Sequence, residues 1–237
     1  MTSAAGGGAE LHLGDYREIV RRERIVADAI IMDAPWSERT HSGQAESRSD
    51  GGKLTDINYS HWTPDDVQEC VWQLGPRCRG WWVSLTDHVL VPAWERALAD
   101  SGRVTFAPLP AVVRGSRPRF CGDGPACVTT QVVVARPRGE PYSKWGALPG
   151  DYRVSRGRQY RIGGKPLELM RQIVGHYTRP GDLILDPCAG GGTTLVAAVL
   201  EGRRAVGCEI DPEAHAVAMQ RLDEIASDRS GLEAAHG

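Results

Sequence analysis

Long hydrophobic runs are missing from this sequence. No apolar stretch approaches the ~20 residues of a membrane span, and residues 1–8 lack the charged start and apolar continuation of an export signal. A soluble, cytoplasmic protein with no membrane partner is expected. Cysteine is scarce too: six in 237 residues are too few for a disulfide scaffold. Cys188 and Cys208 sit inside apolar runs, where free cysteine packs as a small hydrophobe. Cys121 and Cys127 flank Gly-Asp-Gly-Pro-Ala without a second pair or a histidine at ligand spacing, so two ordinary thiols are the better reading and no metal is expected.

An excess of positive charge is also lacking. The formal net charge is −2, and any affinity for nucleic acid must come from how charge is distributed. Residues 136–171 hold nine basic and three acidic side chains, whereas residues 201–237 hold four basic and eight acidic ones. Such asymmetry gives one face a phosphate-attracting field, although a solvated arginine-rich loop explains the charge equally well. No internal repeat is evident.

What is present is an alternation of two patterns. Short apolar runs rich in β-branched residues lie at 29–32, 81–85, 104–106, 128–134, 183–185 and 205–207, and they read as strands covered on both faces. Helical patterns lie between them, at 63–74, 89–99, 166–177 and 193–200. The first opens with Thr63 as a capping residue and Pro64 at the first helical position, and it buries Val67, Val71 and Leu74. The alternation predicts one α/β domain with a mostly parallel sheet and helices on both faces. Residues 37–62, 114–125 and 136–164 fit neither pattern and read as loops, the first long enough for a lid.

The run Leu183-Ile184-Leu185-Asp186, followed by Pro187-Cys188-Ala189-Gly190-Gly191-Gly192-Thr193-Thr194, is a strand, a tight turn and a helix start. Glycines let a ligand approach the backbone closely, and a helix N-terminus offers unpaired N–H donors. The phosphate-cradling spacing ending in Gly-Lys-Ser/Thr is absent, and so is Gly-x-Gly-x-x-Gly. A second strand ends in Glu209, where nucleotide-binding folds place an acid for the ribose hydroxyls. A nucleoside-bearing ligand is expected here; the competing reading is an empty structural turn.

The strand Ile30-Ile31-Met32 ends in Asp33-Ala34-Pro35-Trp36. With this segment the sequence resembles the beta-group DNA amino-methyltransferases, whose target motif is Asp/Asn/Ser-Pro-Pro-Tyr/Phe/Trp at the end of a strand. The order of segments is similar as well. The target motif precedes the cofactor loop, Gly164-Lys165-Pro166 stands just before the cofactor-loop strand, and Leu11-His12-Leu13-Gly14-Asp15 supplies the short early strand ending in Gly-Asp. The matches run from Leu11 to Leu222. Ala34 departs from the family's proline.

The resemblance implies a circularly permuted Rossmann-like methyltransferase fold: one domain over 1–237, with a target-amine half at 11–135 containing a lid loop at 37–62, a basic loop at 136–164 and a cofactor half at 165–225. One strand of the sheet, at 128–134, is expected to run antiparallel. The implied reaction moves a methyl group from S-adenosylmethionine to an exocyclic amine of a flipped base in double-stranded DNA, N6 of adenine before N4 of cytosine, because the cytosine enzymes more often carry serine at the first motif position. Asp33 and the carbonyl of Ala34 would accept hydrogen bonds from the amine, Pro35 would shape the turn and Trp36 would stack on the base. By the same resemblance Asp15, Lys165, Pro166, Asp186, Cys188, Gly190, Gly192, Thr193, Thr194 and Glu209 would line the cofactor. Asp15 as a helix cap and Lys165 as a solvated cation stay open.

Arg39, His41, Arg114, Arg117, Arg119, Arg156, Arg158 and Arg161 are the candidates for DNA contact. Tyr152 and Tyr160 could stack on bases, although core packing is the commoner fate of tyrosine. No separate recognition domain is visible, so target choice falls to these loops, with a homodimer as a further contributor. The short length points to a phage or solitary enzyme by resemblance alone. Methylation of an amine in RNA or protein, and a silent protein that binds S-adenosylmethionine or DNA without transfer, are the competing functions.

Overall fold

The computed structural model describes residues 2–5, 8–40, 60–116, 119–121, 124–139, 145–158 and 163–236. In chain order its elements are β1 (Thr2–Ala5), β2 (Ala9–Leu13), α1 (Tyr16–Arg22), β3 (Ala29–Asp33), α2 (Pro64–Leu74), β4 (Trp82–Thr86), α3 (Val91–Asp100), β5 (Arg103–Thr105), β6 (Leu109–Arg114), β7 (Arg119–Cys121), β8 (Gly124–Cys127), β9 (Thr129–Pro137), β10 (Tyr152–Ser155), α4 (Leu167–Tyr177), β11 (Leu183–Asp186), α5 (Thr193–Leu200), β12 (Arg204–Glu209) and α6 (Pro212–His236).

Ten strands make one sheet in the order β1-β2-β12-β11-β3-β4-β9-β6-β10, with β5 also paired to β9. From β2 to β4 every neighbouring pair is parallel. β9 runs against β4, β5 and β6, as expected for the 128–134 segment. At the other edge β1 pairs antiparallel with β2, so a second strand is reversed.

The central strands are apolar on both faces because both faces are covered. On one side Ile30, Met32, Trp82 and Cys208 join Val67 and Val71 of α2 and Trp94 and Leu98 of α3 in a buried cluster. On the other, Leu11, Ile31, Val83 and Leu85 join Met170 and Ile173 of α4, Leu195 and Val199 of α5 and Ala218 of α6. Thr63 caps α2 as its sequence predicts: its hydroxyl accepts from the Asp66 N–H at 3.3 Å, and its own N–H donates to the Asp66 carboxylate at 2.8 Å.

Two glycines set how closely the cofactor half packs. A Cβ on Gly207 of β12 would lie 2.8 Å from Leu195 Cδ2 and 2.9 Å from Leu11 Cδ1, so the bare backbone lets α5 lie against the strand. Gly192, with φ at +75°, ends the turn before α5, and a Cβ there would come within 2.8 Å of Ala218 Cβ on α6.

Two segments read as irregular contain strands, and a third strand lies where no element was expected. β10 lies within 136–164, where Tyr152 and Val154 alternate as buried residues and pair the strand in parallel with β6. β7 and the start of β8, which form a hairpin separate from the main sheet, lie within 114–125. β1 lies in the N-terminal segment. In each case the partner strand, rather than an apolar run, decides the conformation.

Candidate active site

Each of the five central strands reaches a carboxylate within two residues of its C-terminal end. Because the strands are parallel, Asp15 after β2, Glu209 on β12, Asp186 on β11, Asp33 on β3 and Asp87 after β4 follow one another along one edge of the sheet. This is the edge at which open α/β sheets bind ligands. Among the described residues no cluster of acids, histidines and cysteines has the arrangement of a metal site.

The five carboxylates differ in what they hold. Asp15 caps α1, accepting from the Arg17 N–H at 2.8 Å, and it pairs with the Arg17 guanidinium at 2.5 Å. The guanidinium hydrogen bonds hold its carboxyl below the usual range. The capping role of Asp15 is therefore present, and it sits beside Glu209, whose carbonyl accepts from the Gly14 N–H at 2.8 Å. The Glu209 carboxylate fixes the glycine turn: one oxygen accepts from the Gly190 N–H at 2.6 Å and the other from the Asp211 N–H at 2.8 Å. Each oxygen keeps a second lone pair for a hydroxyl donor.

Asp186 is 1% exposed. Burial pushes its pKa up to about 7 against the Thr194 hydroxyl and the Cys188 N–H, which favour the charged form; the neighbouring charges of Asp33 and Glu209 push the same way as burial. Around it the turn is tightly tied. Ala189 N–H donates to Cys208 O at 2.9 Å, and Arg221 on α6 donates to Thr193 Oγ1 at 3.1 Å and to the carbonyl of Gly191. Cys188 packs at the margin of the core, and burial holds its thiol protonated.

Asp33 meets a residue from the other half of the chain. Lys165 Nζ donates to Asp33 Oδ2 at 2.5 Å and lies 4.5 Å from the centroid of the Trp36 ring. Asp33 Oδ1 is buried without a hydrogen-bond partner among the described residues. Ala34 is buried in the core beside Met32, which gives the small side chain a packing role at the position where the family has proline. Pro166 is buried and caps α4 immediately after Lys165.

Asp87 was not read from the sequence. One of its oxygens accepts from Ser37 Oγ and Thr40 Oγ1, both at 2.5 Å, and from the Ser37 N–H at 3.0 Å. The other holds the turn that leads into α3, accepting from the Val89 and Leu90 N–H groups at 3.0 and 3.1 Å. Burial raises its pKa, and these donors more than offset that, leaving it below the usual value. An aspartate one residue past a strand and four before an apolar helix was the available signal. The chain returns to the same place at Trp62, whose N–H donates to the Trp36 carbonyl at 3.0 Å.

Of the arginines expected at DNA, Arg114, Arg156 and Arg158 are exposed and gather at the C-terminal ends of β6 and β10, where the Arg156 N–H donates to Arg114 O at 2.9 Å. β6 and β10 point the same way as β4, so this basic cluster lies on the carboxylate edge. Arg39 is exposed just beyond Trp36, and Arg119 lies on β7. His41, Arg117, Arg161 and Tyr160 fall outside the described residues. Tyr152 is core: it is 1% exposed, and its hydroxyl lies 3.3 Å from His176 Nδ1.

Comparison with known proteins agrees with this geometry. A family model described as DNA methylase, covering N6 and N4 enzymes, matches residues 135–220. The DNA adenine methyltransferase YhdJ of Escherichia coli is 41% identical over 71 residues, 30% of this chain and 24% of that protein. Residues 135–220 are thus similar to the DNA amino-methyltransferases. The matched stretch spans less than a third of the length of such curated relatives. Likeness of fold to solved structures extends over nearly all of the chain. A crystal structure of an M1.HpyAVI–SAM complex superposes with a TM-score of 0.68 at 19% identity, over 90% of this chain and 99% of the other. The cytosine-N4-specific PvuII DNA methyltransferase superposes with a TM-score of 0.63 at 13% identity, over 93% and 90%.

Proposed function

We propose that this protein methylates an exocyclic amine of a DNA base, with S-adenosylmethionine as donor. The observation that carries the reading is the adjacency of Asp33-Ala34-Pro35-Trp36 and the glycine turn, one at the end of β3 and the other at the end of the neighbouring parallel strand β11.

The residues suit the cofactor. Gly190, with φ at +53° and open space where a Cβ would lie, keeps the turn bare, Glu209 has lone pairs to spare for ribose hydroxyls, and Asp186 is a buried acid whose charged form a nearby cation would favour. When bound, S-adenosylmethionine supplies an electrophilic methyl group on a sulfonium. Asp15 stands beside Glu209 for the adenine end, and Asp186, Cys188, Gly190, Thr193 and Thr194 surround the rest.

An exocyclic base amine is a poor nucleophile because its lone pair is delocalised into the ring. Acceptors on its two protons favour a pyramidal nitrogen, and Asp33 Oδ and the Ala34 carbonyl, at and just after the end of β3, would supply them. Their hydrogen bonds strengthen as positive charge grows on the attacked nitrogen, so they stabilise the transition state more than the ground state. Trp36 supplies a stacking face for a base turned out of the duplex. The arginines at the ends of β6 and β10 supply phosphate contacts on the same edge.

The base we infer is adenine, from aspartate rather than serine at position 33. Nucleoside mass spectrometry of methylation-free DNA incubated with the protein and S-adenosylmethionine should yield N6-methyladenine. N4-methylcytosine would replace only the choice of base, whereas unmodified DNA would sink the reading. Asp33→Ala should abolish the mark while calorimetry shows cofactor binding retained.

A further inference from the structure

The ammonium of Lys165 touches the two groups assigned above to the target base. It donates to Asp33 Oδ2 at 2.5 Å and lies 4.5 Å from the Trp36 ring centroid, with Gly163 O as a weaker partner at 3.4 Å. An amine on a base stacked at Trp36 would make the same pair of contacts, an N–H to the carboxylate and an approach to the ring face. The Lys165 side chain is only 11% exposed, and the other Asp33 oxygen is buried. The carboxylate oxygen that an entering amine meets is therefore the one the lysine already holds.

A lysine that stayed there would work against the chemistry. Methyl transfer builds positive charge on the amine nitrogen, and a cation fixed on the same carboxylate opposes that charge. Lysine is suited to leaving: its ammonium is a compact, strongly hydrated charge on a flexible stem, and it regains water on release.

We propose that Lys165 is a place-holder. In the DNA-free protein its ammonium fills the seat of the target amine on Asp33 and Trp36, and it withdraws as the base enters. The proposal rests on the methyltransferase reading above. It differs from a fixed positioning role, in which the lysine would stay on Asp33 throughout, and from a place at the methionine end of the cofactor.

The sequence makes the test clean, because it contains three lysines, Lys53, Lys144 and Lys165. Sites modified by the protein in methylation-free DNA are first mapped by sequencing; if none appear, the methyltransferase reading itself has failed before the lysine is examined. A short duplex carrying the mapped site is then added, with S-adenosylhomocysteine, to wild-type protein isotope-labelled at the lysine ε-carbons. The Lys165 signal, assigned by its loss in K165M, should begin with a ring-current shift from Trp36 and move to the position of an exposed lysine in the complex. A ring-current shift that persists in the complex overturns the proposal.

Kinetics supply an independent arm with opposite signs for two variants. K165M should lower the DNA KM severalfold, because no ion pair has to break. K165R should raise it, because a forked guanidinium grips a carboxylate through two N–H groups. Lost turnover in K165M that K165R restores would make Lys165 a fixed positioning residue instead, and lost cofactor affinity in K165M would return it to the methionine end. Should K165M not fold, K165A serves for assignment and the measurement on wild-type protein decides.

Discussion

Ser37, the residue after Trp36, donates both its hydroxyl, at 2.5 Å, and its backbone N–H, at 3.0 Å, to a single oxygen of Asp87. The other oxygen of that carboxylate holds the turn before α3. One buried side chain thus ties the segment after Trp36 to the end of β4. Asp87→Ala should loosen that turn and leave buried donors unpaired, at a cost of about 2–4 kcal/mol in denaturant unfolding. It should also lower kcat/KM for DNA while leaving cofactor affinity intact, because the glycine turn belongs to other strands. Equal losses in cofactor and DNA binding would show that Asp87 supports the whole edge rather than the base side.

If Asp186 lines the proposed cofactor site, S-adenosylmethionine binding should depend on pH. Its carboxyl holds a proton up to about pH 7, whereas the ordinary value is 3.8. Between those values the folded protein binds a proton that the unfolded chain has released, so this group's contribution to stability falls as pH rises from about 4 to 7. A cation bound beside it favours the charged form. S-adenosylmethionine affinity should therefore rise as pH is raised through about 7, with proton release visible as a difference between calorimetry buffers of unlike ionisation heat. Asp186→Asn should flatten that slope. A flat profile in the wild-type protein would remove Asp186 from the cofactor's charge balance.

Gly192→Ala joins two costs, a side chain in the left-handed region and a Cβ 2.8 Å from Ala218 on α6. Together they should lower stability by about 2–4 kcal/mol, read as a fall in Tm. Cofactor affinity should fall too, since the turn that carries Gly190 must shift. Unchanged stability would mean that α6 yields at Ala218.

How far the sequence could be read depended on how local the cause was. Ile30-Ile31-Met32 is apolar on both faces and ends in Asp33, and the glycine turn sits between a strand pattern and a helix pattern, so both parts of the site follow from neighbouring residues. β10 does not: only Tyr152 and Val154 mark it, within an arginine-rich stretch, and it forms because β6 offers an edge. Asp87 looks like an ordinary capping residue until Ser37 and Thr40 arrive from 50 and 47 positions away. Lys165 reads as part of the cofactor half because Gly164-Lys165-Pro166 resembles the family's segment before the cofactor-loop strand. Its contact with Asp33 spans 132 positions, and only the pairing of β11 with β3 brings the two together.

The hydrogen bond from Trp62 to Trp36 has a consequence for evolution. It brings the backbone at Trp62 back to Trp36, so the described positions on either side of residues 41–59 are fixed close to one another. Doubling the length of such a closed segment costs only about 0.6 kcal/mol in loop entropy. On the proposed function, the strand-end carboxylates and the sequence inserted between Trp36 and Trp62 can accordingly change at different rates, because a change in the length of that insert need not move the two anchoring residues.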